Sequence, residues 1–162
     1  MRWHRLASLK GAILDELDRK ILSILVKNAR APVGVISRTL NVPNSTVLYR
    51  VKQMEKSGVV RAYIPLIDPR KAGLTITAVI LIDVEPGQMK SVAENITQLK
   101  SVTQLYEAVG YYGLMAVLMA KDLEELSNIL NDKIAKTPGV RNMETLILTK
   151  EYKNIPIPED FP

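Results

Sequence analysis

The sequence predicts an α+β chain: an N-terminal three-helix helix-turn-helix domain followed by a C-terminal ferredoxin-like βαββαβ domain, dimeric through its sheets. Three observations predict it. Three helical segments follow one another within residues 16–56, with only three residues between the second and third. A strand–helix–strand pattern then runs twice between residues 74 and 150. Finally, the leading strand of each half is apolar on both faces, although the helices of this fold cover only one.

The first helix is marked by Leu17, Ile21, Ile24 and Leu25 at i, i+4, i+7 and i+8, one face of a segment running from Glu16 to about Ala29. Pro32 bars its continuation. Val33, Ile36 and Leu40 give the second helix its inner face, and Val47, Val51 and Met54 the third, over residues 44–56. Gly58 is placed to stop that helix. Between helices two and three, Asn41, Val42 and Pro43 must reverse the chain, and asparagine tolerates the left-handed conformation better than other non-glycine residues. Such a tight turn before the last helix is the helix-turn-helix pattern. Val59 to Ile64 is rich in β-formers and is closed by Asp68-Pro69 and Gly73, which predicts a strand and hinge. The resulting domains are 15–70 and 71–152. Residues 1–14 form an extension, with Trp3, Leu6 and Leu9 spaced for a short helix or packing arm, and 153–162 an extended, proline-containing tail.

In the second domain, strand 74–84 leads to helix 88–99 and strand 102–109; strand 114–120 leads to helix 123–136 and strand 141–149. Met89, Val92, Ala93, Ile96 and Leu99 share one helix face, and Leu123, Leu126, Ile129, Leu130 and Ile134 share the other's. Asp122 and Glu125 have the spacing of a capping pair. Two tandem βαβ units make the ferredoxin-like arrangement. Residues 76–82 read Ile-Thr-Ala-Val-Ile-Leu-Ile and 114–120 read Leu-Met-Ala-Val-Leu-Met-Ala. No sequence remains to cover the second apolar face, so a second copy of the chain is the expected cover.

The 162 residues are 47% hydrophobic, enough for a core, and carry a net charge of +5. The distribution of charge is more telling. Residues 1–71 hold fourteen Lys/Arg against five Asp/Glu, a net of +9, whereas the remainder holds eight against twelve, a net of −4. A polyanion is drawn to the first half. The absence of cysteine excludes disulfides, thiolate catalysis, Cys-ligated zinc and iron–sulfur clusters. With His4 the one histidine, no metal site or cofactor is expected. The longest apolar run falls far short of the ~20 residues that span a bilayer, and no signal-peptide core follows the basic N-terminus. A soluble, cytoplasmic protein is expected.

The third helix has the layout of a rod that enters the major groove of double-stranded DNA. Small or polar residues stand at its start, longer ones a turn or two on, and an apolar face holds it to its neighbours. Asn44 can pair with adenine, Ser45 and Thr46 can reach bases or phosphates, and Leu48 can meet a thymine methyl, with Tyr49 alongside. Arg50, Lys52 and Lys56 fall to phosphates. For Arg50 the alternative is an internal ion pair with Glu16 or Asp18.

These residues resemble the Lrp/AsnC family of leucine-responsive, or feast/famine, transcriptional regulators. The first domain carries Leu17-Asp18-x-x-Ile21-Leu22-x-x-Leu25 and Asn28-Ala29-Arg30. It continues as Leu40-Asn41-Val42-Pro43-Asn44-Ser45-Thr46-Val47-x-x-Arg50-Val51-x-x-Met54-Glu55-x-x-Gly58-Val59-Val60. Asn41 stands where the family usually has glycine. The second half, with Pro138-Gly139-Val140 and Thr145, looks like the family's RAM domain, which the resemblance implies pairs into homodimers and often octamers. It also implies an amino-acid effector held by a Gly-x-x-Asp loop between strands two and three. Here that loop reads Gly110-Tyr111-Tyr112-Gly113, so the carboxylate is missing, and Glu107, Glu144 and Thr145 complete the candidate effector set. An ammonium group needs a counter-charge. Either Glu107 or Glu144 supplies it, or the ligand differs, or none binds.

Two other readings stand beside a sequence-specific regulator. One is an architectural DNA-binding protein with little sequence preference. The other is an enzyme, because sirohaem decarboxylases share the two-domain look. Those enzymes use histidine and arginine in the second domain, where this sequence has no histidine and only Arg141.

Overall fold

The computed structural model of the protein describes residues 14–154. The arm containing Trp3, Leu6 and Leu9 and most of the expected tail lie outside the described residues. The described chain divides into two compact units, residues 14–65 and Leu66–Asn154.

In the first unit, α1 (Glu16–Lys27) starts on a reciprocal cap: the Asp15 carboxylate accepts from the Asp18 amide at 2.9 Å, and the Asp18 carboxylate accepts from the Asp15 amide at 3.2 Å. It ends two residues before the expected limit, at Asn28, whose side chain turns to accept the Arg30 amide. Helix α2 (Val33–Leu40) and helix α3 (Asn44–Lys56) follow, each entered from a proline, Pro32 and Pro43. Asn41 takes φ 52°, ψ 48° and turns the chain between them, as the sequence requires. Ile21, Leu22, Ile36, Val47 and Met54 are buried together where the three helices meet.

The strand expected over residues 59–64 does not form within the described chain. A strand exists only by pairing, and among the described residues none pairs with this segment. Its path is set instead by the end of α3. Gly58 adopts φ 78°, and the Val60 amide donates to the Met54 carbonyl at 3.0 Å, returning Val60 to the three-helix core.

In the second unit, β1 (Ile76–Val84), β2 (Val102–Glu107), β3 (Leu114–Ala120) and β4 (Val140–Ile147) form one antiparallel sheet in the order β2-β3-β1-β4. This is the ferredoxin-like order. Helix α4 (Met89–Thr97) connects β1 to β2. Helix α5 (Leu123–Asn128) leads toward β4 and passes directly into a π-helical stretch, Ile129–Ile134, where a continuous α-helix was expected. The wider turn still delivers Ile129 and Ile134 to the core. Asp122 caps α5 through the Glu125 amide at 2.8 Å, but Glu125 returns its carboxylate to the Lys121 amide, one residue earlier than the usual box.

Burial alternates along β1 from Thr77 onward and along the whole of β3. Ala78, Ile80, Ile82, Leu114, Ala116 and Leu118 are buried in the core shared with Val92, Ile96 and Leu126 of the helices. The opposite face is half-buried in the single chain, with Val79 opposite Val117 and Leu81 opposite Met115. One end of that face opens into a groove of about 1220 Å³, floored by Val117 and Met119 and walled by Leu66, Ile67 and Leu148. Gly139 joins the β4 side to α4: at φ 93°, a Cβ there would lie 2.7 Å from the Gln88 Cβ.

Candidate nucleic-acid interface

Helix α3 divides as the sequence predicts. Val47 and Met54 are buried, and Val51 packs beside them. Asn44, Ser45, Lys52 and Lys56 are exposed, Thr46 is half-buried, and Leu48 and Tyr49 are 46% and 60% exposed. Two large apolar side chains held in water on a rigid helix are costly unless something covers them. No side chain caps the first turn of α3, because Pro43 has none to offer, so its leading amides suit an anion such as phosphate.

Arg50 makes the internal pairing that stood as the alternative to a phosphate contact. Its NH1 group lies 2.5 Å from Asp15 and 3.4 Å from Asp18, so its internal partners are the two cap residues of α1 and not Glu16, which pairs with Lys20. The Asp18 amide holds the Asp15 carboxyl below its ordinary pKa; partial burial opposes this, and Arg50 adds to it. The same two aspartates therefore start α1 and anchor α3. Sequence spacing offered Asp18 as a partner, but Asp15 entered only once the cap placed its free oxygen toward α3.

The residues expected around an effector converge only in part. Glu107 stands opposite Leu114 and Thr145 opposite Ile80, on the helix-facing register of the two edge strands β2 and β4, which β3 and β1 separate. Glu144 faces the other way, opposite Leu81. It accepts a 2.9 Å hydrogen bond from the Tyr112 hydroxyl, a contact that raises the phenol pKa. Tyr111 packs edge-on against Tyr112. Gly110 and Gly113 both lie outside the left-handed region. A Cβ at 113 would lie 2.4 Å from Cε of Met89, the flexible end of that side chain, which would have to move aside. At the same end of the sheet, Arg141 donates to Asp83 at 2.7 Å. This pair was not singled out from sequence. It depends on the antiparallel register that sets Asp83 opposite Asn142, which a one-dimensional pattern does not contain.

An exposed, partly apolar recognition helix on a basic three-helix unit, joined to a ferredoxin-like domain, defines a helix-turn-helix DNA-binding regulator. A family profile described as "Winged helix-turn-helix DNA-binding" matches residues 14–61, and one described as "Lrp/AsnC ligand binding domain" matches residues 77–157. The chain belongs to the Lrp/AsnC family of transcriptional regulators. It is 43% identical over 141 residues to an uncharacterized HTH-type transcriptional regulator of Pyrococcus furiosus, covering 87% of this chain and 95% of that one. It is 35% identical to the regulator LrpA of Pyrococcus abyssi, over 87% of this chain and all of that one. Among solved structures, it is similar to Escherichia coli AsnC with a TM-score of 0.84 at 25% identity, covering 90% of this chain and 98% of AsnC. It is also similar to a Neisseria meningitidis transcriptional regulator in complex with L-Met, with a TM-score of 0.85 at 25% identity and coverage of 91% and 97%. No helix among the described residues is long and apolar enough to cross a membrane.

Proposed function

We propose that this regulator binds palindromic double-stranded DNA as a homodimer, reading each half-site with α3 and assembling through the open faces of its sheets. The exposed side of α3 carries the reading. Asn44, Ser45, Leu48 and Tyr49 meet base edges, Thr46 lies at the rim, and Lys52 and Lys56 neutralise phosphates. Arg50 holds the helix at its angle through Asp15 and Asp18. The test is selection of bound sequences from random DNA followed by footprinting. Discrete, two-fold symmetric sites are expected; uniform coverage would favour the architectural alternative instead.

Dimerisation follows from the half-buried apolar face of β1 and β3, which a second copy covers with its own equivalent face. Placing a charge there, as in Val117→Lys, should yield monomers in analytical ultracentrifugation and abolish tight operator binding. A Val117→Lys protein that remains dimeric would overturn this assignment. Assembly to an octamer would stack such dimers.

An amino acid is the effector this reading supports, because the similar Neisseria meningitidis structure holds L-Met. With no carboxylate at Gly113, the counter-charge for an ammonium falls to Glu144, which Tyr112 orients, while Arg141 answers a carboxylate. Glu107 and Thr145 face away from Glu144 and have no part in it. Calorimetry against an amino-acid panel should give binding that Glu144→Gln removes; binding retained in that variant would reject the site. The protein is not a catalyst in this reading, since the second domain has no histidine and Arg141 as its one arginine. Mixing with sirohaem should leave the Soret band unshifted.

A further inference from the structure

The first residues of the linker are bound to the recognition helix rather than free. After α3 ends, the Gly58 amide donates to the Glu55 carbonyl at 3.1 Å and the Val60 amide to the Met54 carbonyl at 3.0 Å. Val60 then packs into the three-helix core. Three residues on, the Tyr63 hydroxyl donates to Glu55 Oε1 at 2.9 Å, across eight residues of chain. Burial first, and then this carboxylate, raise the Tyr63 pKa, so the phenol keeps its proton at neutral pH. Immediately beyond, the pinning stops: Ile64 is 70% exposed. The chain therefore leaves the helix-turn-helix unit in a direction fixed relative to α3, and any freedom begins after Tyr63.

We propose that Tyr63, held by Glu55, is a positioning residue that sets the spacing between the two half-sites of the operator. This rests on the dimeric DNA-binding reading above. In a dimer, each recognition helix is carried on its own linker. The angle at which the linker departs from α3 fixes how far apart, and at what rotation, the two helices present themselves. One base pair added between half-sites moves them by about 3.4 Å and turns one relative to the other by about 34°. Without the Tyr63 contact the chain between Val60 and the second unit gains rotational freedom, and it tolerates such a shift. A linker tethered at Tyr63 does not. Neither Tyr63 nor Glu55 lies among the α3 residues assigned to base edges, so the pair governs spacing and leaves half-site sequence to α3.

The test uses the full chain and duplexes carrying the selected half-sites at spacings varied one base pair at a time. Wild type should bind one spacing in preference to its neighbours. Tyr63→Phe, which keeps the ring and removes the hydroxyl, should flatten that preference by about five- to tenfold, the effect of one hydrogen bond to a partly exposed charge. Glu55→Ala should do the same, and Glu55→Gln, which still accepts a hydrogen bond, should retain the wild-type profile. Affinity for a duplex with one half-site should stay within about twofold in every variant, as for surface substitutions away from an interface. A Tyr63→Phe profile as sharp as wild type would overturn the proposal while leaving the dimer reading intact. Equal losses on single and paired half-sites would also overturn it, since the tyrosine would then only support the fold of the unit. A wild-type protein indifferent to spacing would overturn this inference, while the dimer reading would still stand or fall by ultracentrifugation.

Discussion

Arg50 and Lys52 stand two residues apart on α3, and the structure gives them different surroundings. Lys52 is exposed, whereas the Arg50 side chain is 34% exposed and paired with Asp15 and Asp18, the latter only 11% exposed. Binding releases counterions from phosphates that protein cations neutralise, so log K falls with log salt by about 0.9 per contact. A dimer presents each residue twice. Lys52→Gln should therefore reduce the slope by about 1.8, which means an affinity loss between 50 and 200 mM salt smaller than wild type's by about twelvefold. Arg50→Gln should leave the slope unchanged, because its charge is already answered inside the protein. Its effect is on folding. Removing the guanidinium leaves the poorly exposed Asp18 carboxylate with less compensation, at about 1–2 kcal/mol, between the values for exposed and for buried pairs. Affinity measured by fluorescence anisotropy at five salt concentrations, together with urea unfolding of both variants, separates the two roles. Should Arg50→Gln lower the salt slope as much as Lys52→Gln, the arginine reaches a phosphate despite its aspartates, and the assignment of Arg50 as an internal anchor is wrong.

Tyr49→Ala should weaken binding to a selected operator by about 1–3 kcal/mol per half-site, with little change on random duplex, in parallel titrations; equal loss on both would remove Tyr49 from base reading. Gly139→Ala combines a left-handed backbone with a clash against Gln88, so it should destabilise the second unit by about 1–3 kcal/mol in thermal or denaturant unfolding. Asp15→Asn keeps a capping side chain but cannot titrate or pair with Arg50 as a charge. Because the Asp15 pKa is lowered in the folded chain from its ordinary 3.8, its contribution is fully present above that value and is lost as pH falls below it. The stability difference between wild type and Asp15→Asn should thus be constant near neutrality and shrink in acid; a difference that grows on acidification would contradict the lowered pKa.

Periodicity was sufficient for most of the elements and their faces. Apolar spacing located α1, α2 and α3, and Asn41 announced the left-handed turn between the last two, because these are local preferences that any context must satisfy. The alternation of β1 and β3 was equally local, and so was the surplus of apolar side chains on their second face. The exposed set on α3 was legible for the same reason: once the inner face of a helix is known, geometry fixes the outer one.

What remained depended on where separate segments arrive. The run from Val59 to Ile64 has strand composition, yet strand composition is only an offer to pair, and no edge accepts it within the described residues. Glu107, Glu144 and Thr145 read as one acidic-polar group in sequence, but sheet order and register send them to different edges and faces. Met89 lying against Gly113, Asp83 meeting Arg141, and Tyr63 reaching back to Glu55 are likewise products of packing. The sequence by itself determined the three helices of the first unit, the four strands of the sheet, the side of α3 that faces water and the basic first half. Only the tertiary structure decided that Arg50 serves as an anchor and that the linker stays bound through Tyr63. Side-chain pairing is settled by distances of a few ångströms between chain segments, and a one-dimensional pattern does not contain them.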